Sequence, residues 1–356
     1  MKASAITPRA VDWLWAPYVP LGKLTAVAGQ MGQGKSLWTL WLAAAVTRGD
    51  LDCPLGSAIV FSAEDDAADT TRPRIEAADA DLERVWIESD GSPFNLELLD
   101  RASRELENVR LVVIDPLQAY LAAGVDAWKG QHVRSALDPL RRYAGEHGIA
   151  VVLVQHLNRR SDVSDPLARI ADSQGVPQLA RSVLVWGPDP ADADGDQGSM
   201  KALARAKGNL ARAAEAATFE ITERRVSGLV VPSLRRGAER AIGADELVSD
   251  SEARTKMTSA VEWLQQLLAN GPLSAADLKM QARAAGIADT TLQRAKRRLG
   301  VVSEQTHDGS RITGWTWGLP PKKNEHLDYV GHVDPLVIQE RQGRQGSHIS
   351  NPPARR

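Results

Sequence analysis

Cysteine is nearly absent. Cys53 is the only one in 356 residues, so neither an intramolecular disulfide nor a cysteine zinc site can be built. The seven histidines are scattered without the paired spacing of a metal site. A dominant charge sign is lacking too. Lys plus Arg number 43 and Asp plus Glu 45, a formal net charge of -2. That excludes a uniformly basic nucleic-acid coat while leaving room for a local basic patch. No apolar run reaches the roughly 18 residues of a membrane span, and Met1–Pro20 has no continuous apolar stretch of the signal-peptide kind. The expected location is the cytoplasm, with no membrane partner. What remains is ordinary globular material, 43% hydrophobic and 25% charged. At about 150 residues per domain, the length suggests two or three domains.

Short apolar runs punctuate the first half: KLTAVA at Lys23–Ala28, AIVFS at Ala58–Ser62, RLVVI at Arg110–Ile114, AVVLVQ at Ala150–Gln155 and SVLVW at Ser182–Trp186. Helical stretches separate them, including Ser36–Thr47, Thr71–Ala80 and Val133–His147. Alternation of this kind predicts an α/β fold, a mostly parallel sheet covered on both faces. Later strands at Lys201–Ala206, Thr218–Thr222 and Gly228–Val231 have no helices between them and predict an antiparallel extension. Residues 1–20 read as an irregular lead-in. The expected organisation is a first domain over 1–232, a polar linker over 233–253, a small second domain over 254–318 and a proline-bearing disordered tail over 319–356. The second domain holds four more basic than acidic residues in a chain of net charge -2, which suggests two modules with different partners.

The strongest motif is Gly29-Gln30-Met31-Gly32-Gln33-Gly34-Lys35-Ser36, a full match to G-x-x-x-x-G-K-[ST] between a strand and a helix, with Leu37 continuing into the helix. Its glycines let the backbone curl so that several N–H groups face one anion, and the following helix adds its positive N-terminus. Lys35 can reach the β- and γ-phosphates of ATP, and the Ser36 hydroxyl can ligate Mg²⁺. Asp115 ends an apolar strand, the place of a Walker B aspartate that holds the Mg²⁺ shell. The residue after it is Pro116, so a general base must come from elsewhere. Glu64, at the end of the second strand, can polarise a water for in-line attack, with Asp65 as the next choice and a solvated acidic turn or helix cap as the alternative. His156 ends the fourth strand, where a polar side chain would face the γ-phosphate.

The series GQMGQGKS, SAED, VVIDPL, VVLVQH, ARSVLVW and LARAKGN resembles the RecA-fold ATPases related to the plasmid replicative helicase RepA, over roughly residues 12–232. The resemblance implies a RecA-like P-loop core and a ring, usually a homo-hexamer, with ATP between neighbours. It implies Glu64 as base and places His156 at the sensor position, where Gln155 departs from a frequent second histidine. Such rings need a cation from the next subunit. Arg205 and Lys207, alternating on one strand and so expected on one face, are the first candidates, and Arg181 the second. In related rings the equivalent of Asn158–Gly175 lines a channel for single-stranded DNA, which points to Arg159 and Arg160; a solvated loop is the alternative.

In the last module, helices at Met257–Ala269, Ser274–Ala285 and Asp289–Leu299 precede a hairpin over Val301–Glu304 and Ile312–Trp317. Three helices and a hairpin form a winged-helix arrangement, and GIADTTLQRAKRRLGVV resembles that unit as found behind this ATPase family. Arg294, Lys296, Arg297 and Arg298 can neutralise phosphates of duplex DNA, while Thr290, Thr291 and Gln293 can meet base edges; docking of a protein is the alternative. The expected function is an ATP-hydrolysing DNA motor of a mobile element, in contact with other replication proteins. A recombination or repair ATPase and an ATP-switched DNA-binding regulator are the rivals; a small-molecule kinase lacks an evident second pocket or arginine-rich lid.

Overall fold

The computed structural model describes residues 2–320 except 93, 122–124, 126–128, 159–162, 164, 171–174, 213, 250 and 309–310; for 251–258, 308, 311 and 313 it describes the backbone alone. The chain enters through a short hairpin of β1 (Trp13–Trp15) and β2 (Val19–Pro20). It then alternates through β3 (Leu24–Gly29), α1 (Lys35–Arg48), β4 (Ser57–Ser62), α2 (Arg72–Ala77), β5 (Val85–Glu88), α3 (Leu96–Glu105), β6 (Val109–Asp115), α4 (Gly130–His147) and β7 (Ala150–His156). Short helices α5 (Pro166–Arg169) and α6 (Gly175–Leu179) lead to β8 (Ser182–Pro188), and β9 (Met200–Gly208), β10 (Ala216–Val226) and β11 (Leu229–Arg240) follow.

Strands β3 to β11 form one nine-stranded sheet in the order β11-β10-β9-β8-β3-β7-β6-β4-β5. β3 to β8 run parallel, and β9 to β11 extend the sheet antiparallel. The core is α/β with a mostly parallel sheet, as the alternation predicts. β3 is buried along its whole length, because helices cover both faces of the sheet. On one face α1 packs with Trp15, Tyr18, Trp186 and Phe219. On the other, α3, α4 and α6 pack over Ala26, Ile59, Val112, Leu153 and Val183. The nucleotide motif falls at the carboxyl end of β3, where parallel sheets bind ligands.

Three expectations change. The lead-in is not irregular throughout, since Leu14, Trp15, Tyr18 and Val19 are buried against α1. The stretch 233–253 does not read as a free linker in space. β11 runs on to Arg240, and α7 (Ala244–Leu247) buries Ala244 and Leu247 against Val185, Ala202 and Ala204. Met1–Leu319 is accordingly one compact unit. The helical reading of Thr71–Ala80 shrinks to α2, preceded by a π-turn over Ala67–Thr71.

The remaining elements are α8 (Ser251–Leu268), β12 (Leu273–Ser274), α9 (Ala275–Ala284), α10 (Asp289–Arg298), β13 (Val302–Asp308) and β14 (Arg311–Gly318). The three strands form an antiparallel sheet ordered β12-β14-β13. The core of this part is Ala260, Leu264, Leu268, Leu278, Leu292, Ala295 and Trp317, the buried stripe of each helix meeting the sheet. Of the tail expected from 319 onward, residues 321–356 lie outside the described residues. No described helix is long and apolar enough to cross a membrane.

Candidate active site

The loop between β3 and α1 has the shape its glycines permit. Gly32 and Gly34 adopt φ of +75° and +89°, the left-handed region that side chains with a Cβ rarely enter. Gly29 serves another need. A Cβ there would stand 2.4 Å from the Trp186 carbonyl oxygen on neighbouring β8. α1 starts at Lys35, so its first N–H groups face the loop's hollow.

Lys35 is buried, and its ammonium donates to the carbonyls of Gly29 (3.0 Å) and Gln30 (2.8 Å). Burial pushes its pKa down to about 8, against the pull of Asp115 and Glu64. Asp115, at the end of β6, is pushed up to about 6 by burial, opposed by a hydrogen bond with Ser36 and by the Lys35 charge. Ser36 and Asp115 are thus brought together, as the motif requires. Among the described residues no three His, Cys, Asp or Glu side chains gather as a protein-only metal cage. A hydroxyl, one carboxylate and a substrate phosphate are what a Mg²⁺ site of this type uses, and the Ser36–Asp115 pair fits that ion.

β4 and β6 pair so that Ser62 lies opposite Asp115, which delivers the acidic run after Ser62 to the same cleft. The three acids then separate. Glu64 is exposed and stands 3.8 Å from His156 Nε2, at the end of β7. Asp65 is held by the Arg74 guanidinium of α2 at 2.8 Å. Asp66 accepts hydrogen bonds from the backbone N–H groups of Ala68 and Asp69, which lowers its pKa. The cap alternative therefore describes Asp66, and of the three it is Glu64 that pairs with His156. Gln155 is buried on the opposite face of β7 from His156.

Lys35, Ser36, Glu64, Asp65, Asp115 and His156 line one cleft of about 360 Å³ with Met31, Gly32, Gly34 and Leu37. Arg74, Ile221 and Pro232 complete its wall. Sequence reading missed these three. An arginine in the first turn of α2 was a usable signal, whereas Ile221 and Pro232 arrive on β10 and β11 with no local mark.

Arg181, Arg205 and Lys207 lie at the other end of the sheet. Arg205 pairs with Leu184 and Lys207 with Val183, near the start of β8, while the phosphate loop follows the end of β3. The expectation that Arg205 and Lys207 share a face is corrected. A bulge between those two pairings inserts Ala206 and breaks the alternation. Arg205 donates to the Pro17 carbonyl at 2.9 Å and to the carbonyls of Ala211 and Arg212. Lys207 donates on the opposite face, to the carbonyls of Pro177 (2.6 Å) and Ala180 (3.2 Å). Burial lowers the pKa of both. Arg181 is exposed.

Arg159 and Arg160 lie outside the described residues. In α10, Arg294 sits 3.0 Å from Asp245 and Arg298 3.1 Å from Glu246, both acids of α7. Lys296 lies 4.2 Å above the Trp317 ring and bonds to Ser303. Arg297, Thr290 and Gln293 are exposed, and Thr291 is half-buried. The stretch of cations is therefore not one open patch.

Residues 2–162 match a family model described as an AAA domain, which spans somewhat less than half of the chain. Among solved structures the chain is similar to an ATPase domain, at 14% identity and a TM-score of 0.45, over 56% of this chain and 81% of that one. No curated protein matches.

Proposed function

We propose that this chain is a RecA-type ATPase that couples ATP hydrolysis to work on DNA. The observation that carries the reading is the single cleft in which the phosphate loop, Ser36, Asp115, Glu64 and His156 converge. The AAA-domain match over the same residues supports it. Lys35 and the loop N–H groups bind and orient the phosphates. Ser36 and Asp115 would hold a Mg²⁺ ion, which would supply neutralisation of phosphate charge. Glu64 accepts the proton of the attacking water, and His156, beside it, orients the carboxylate toward the γ-phosphoryl group.

The finer reading is a homo-hexameric motor related to the plasmid helicase RepA, acting in replication of a mobile element. Arg205, Lys207 and Arg181 sit far from the chain's own phosphate loop, so any role on a γ-phosphate is across a subunit interface. The last module is then a winged helix that meets duplex DNA through α10, and the 158–175 segment meets single strands. Arg169 in that segment takes no such part, being buried with its guanidinium on the carbonyls of Val248 and Asn158. One observation favours a second reading, an ATP-switched DNA-binding regulator: α10 is tied to α7 through two ion pairs, an arrangement suited to release on a signal. Nucleotide hydrolysis and forked-duplex unwinding, measured beside particle mass with and without ATP, separate the two. Hydrolysis with strand separation supports the motor, and hydrolysis without it the switch. Absence of nucleotide binding overturns both.

A further inference from the structure

Gln33 of the phosphate loop is held by side chains from two strands far along the chain, β8 and β9. Trp186, fully buried on β8, donates its indole N–H to the Gln33 backbone carbonyl at 2.6 Å. Lys201, buried near the start of β9, donates to the Gln33 side-chain oxygen at 2.9 Å and lies 3.5 Å from the Asp196 carbonyl. The Gln33 side-chain amide in turn donates to the same Asp196 carbonyl at 3.4 Å. The Trp186 ring has no freedom to leave, because Trp38 of α1 and Phe219 of β10 pack against it. Its own backbone carbonyl is the atom that admits only glycine at position 29.

The direction of that carbonyl matters for an anion. In a trans peptide the C=O and the next N–H point to opposite sides. A Gln33 carbonyl drawn outward by the indole leaves the Gly34 N–H directed the other way. With Gly34 at φ +89°, the peptide before it has little steric reason to prefer either orientation. Turned inward, the carbonyl would present a negative oxygen to the phosphates. We propose that Trp186 and Lys201 are positioning residues that fix the Gln33–Gly34 peptide in its anion-receiving orientation, Trp186 through the carbonyl and Lys201 through the side chain. This rests on the nucleotide reading above and adds residues to it that lie some 150 positions downstream of the motif.

Titration of the full-length protein with Mg-ADP and Mg-ATP tests it, with Lys35→Ala as the reference for a broken site. Trp186→Phe keeps the ring packing and removes the N–H. It should weaken nucleotide binding about three- to tenfold, the size of one lost hydrogen bond to a neutral carbonyl. KM should rise by the same factor while kcat at saturation stays within about twofold, since Glu64 and Asp115 are untouched. Lys201→Met should behave alike and Lys201→Arg should restore affinity. Adding Lys201→Met to Gln33→Ala should do no further harm, because the lysine acts through that side chain. An indole N–H resonance absent from Trp186→Phe should shift on nucleotide binding. Wild-type affinity in folded Trp186→Phe and Lys201→Met overturns the inference. So do additive effects of Lys201→Met and Gln33→Ala, which decide the matter if Trp186→Phe does not fold. A wild-type protein that binds no nucleotide sinks the ATPase reading itself, and a binding wild type with unaffected variants sinks only this one.

Discussion

Glu64 Oε1 and His156 Nε2 stand 3.8 Å apart at the ends of two strands that are not neighbours, β4 and β7, with β6 and its Asp115 between them. This pairing separates Glu64 from the two acids that follow it. Glu64→Gln should keep nucleotide affinity and lose about 10²–10⁴ in hydrolysis rate. Asp65→Asn should release Arg74 and change the rate far less. Asp66→Ala should leave chemistry intact and lower the melting temperature through the lost cap. Steady-state hydrolysis beside thermal melting checks all three, and wild-type turnover in Glu64→Gln would move the base to Asp65.

Arg205 must give up the carbonyls of Pro17, Ala211 and Arg212 if it reaches into another subunit. An Arg205→Ala subunit retains a sound phosphate loop, and a Lys35→Ala subunit a sound Arg205. Mixed, the two inactive proteins should recover part of the hydrolysis, because some interfaces then hold one good partner of each kind. No recovery at any ratio, with mixed assemblies present by native mass measurement, would exclude a role across the interface.

The ion pairs between α7 and α10 set a condition on DNA binding. Arg294 and Arg298 are available to phosphates only when Asp245 and Glu246 let go. Asp245→Asn with Glu246→Gln should therefore tighten duplex binding at low salt. It should also steepen the salt dependence by up to about two contacts, at about -0.9 in slope for each. Replacing Arg294, Lys296, Arg297 and Arg298 together should flatten that dependence and leave DNA-independent hydrolysis nearly unchanged. Affinity measured at several salt concentrations checks both. A double variant that binds duplex no better than wild type favours protein docking for this module.

Tyr18 supplies a pH dependence of stability. Burial pushes its phenol up to about 12, and it donates to the Glu215 carbonyl at 2.7 Å. The unfolded phenol ionises near pH 10. Below that pH both states are neutral and the folded state keeps its full advantage. Between about pH 10 and 12 the unfolded state loses its proton first, so stability falls as pH rises, by up to about 2–3 kcal/mol. Urea midpoints across this range should show the fall, and Tyr18→Phe should reduce it.

The phosphate loop, the strand-end position of Asp115 and the parallel character of the sheet were legible because each is local: a spacing, a strand end, an alternation of buried runs. α3 escaped reading although Asn95 caps it through the Leu98 N–H, since few of its positions are apolar and only Leu99 and Ala102 are buried. The stretch RRGAER looked like linker because β11 is an edge strand, which needs apolar residues only where β10 and α2 cover it, at Val231 and Leu234. The separation of Arg205 from Lys207 depends on one inserted residue that alternation cannot foresee. Lys201 and Gln33 are 168 positions apart, and nothing in either segment announces the other.

The central strand also orders events in time. Leu24 of β3 pairs with Val151 of β7, and Thr25 with Ser182 of β8. At about 5–20 residues per second, Ser182 is synthesised roughly 8 to 30 seconds after Thr25. Until then β3 lacks its partner on the β8 side even after β7 has been made, and the Gln33 carbonyl lacks its indole. The segment that would grip phosphate is among the first made and among the last to be shaped. Nascent chains arrested before Ser182 should therefore bind nucleotide more weakly than the finished protein, with one edge of the apolar β3 open to chaperones.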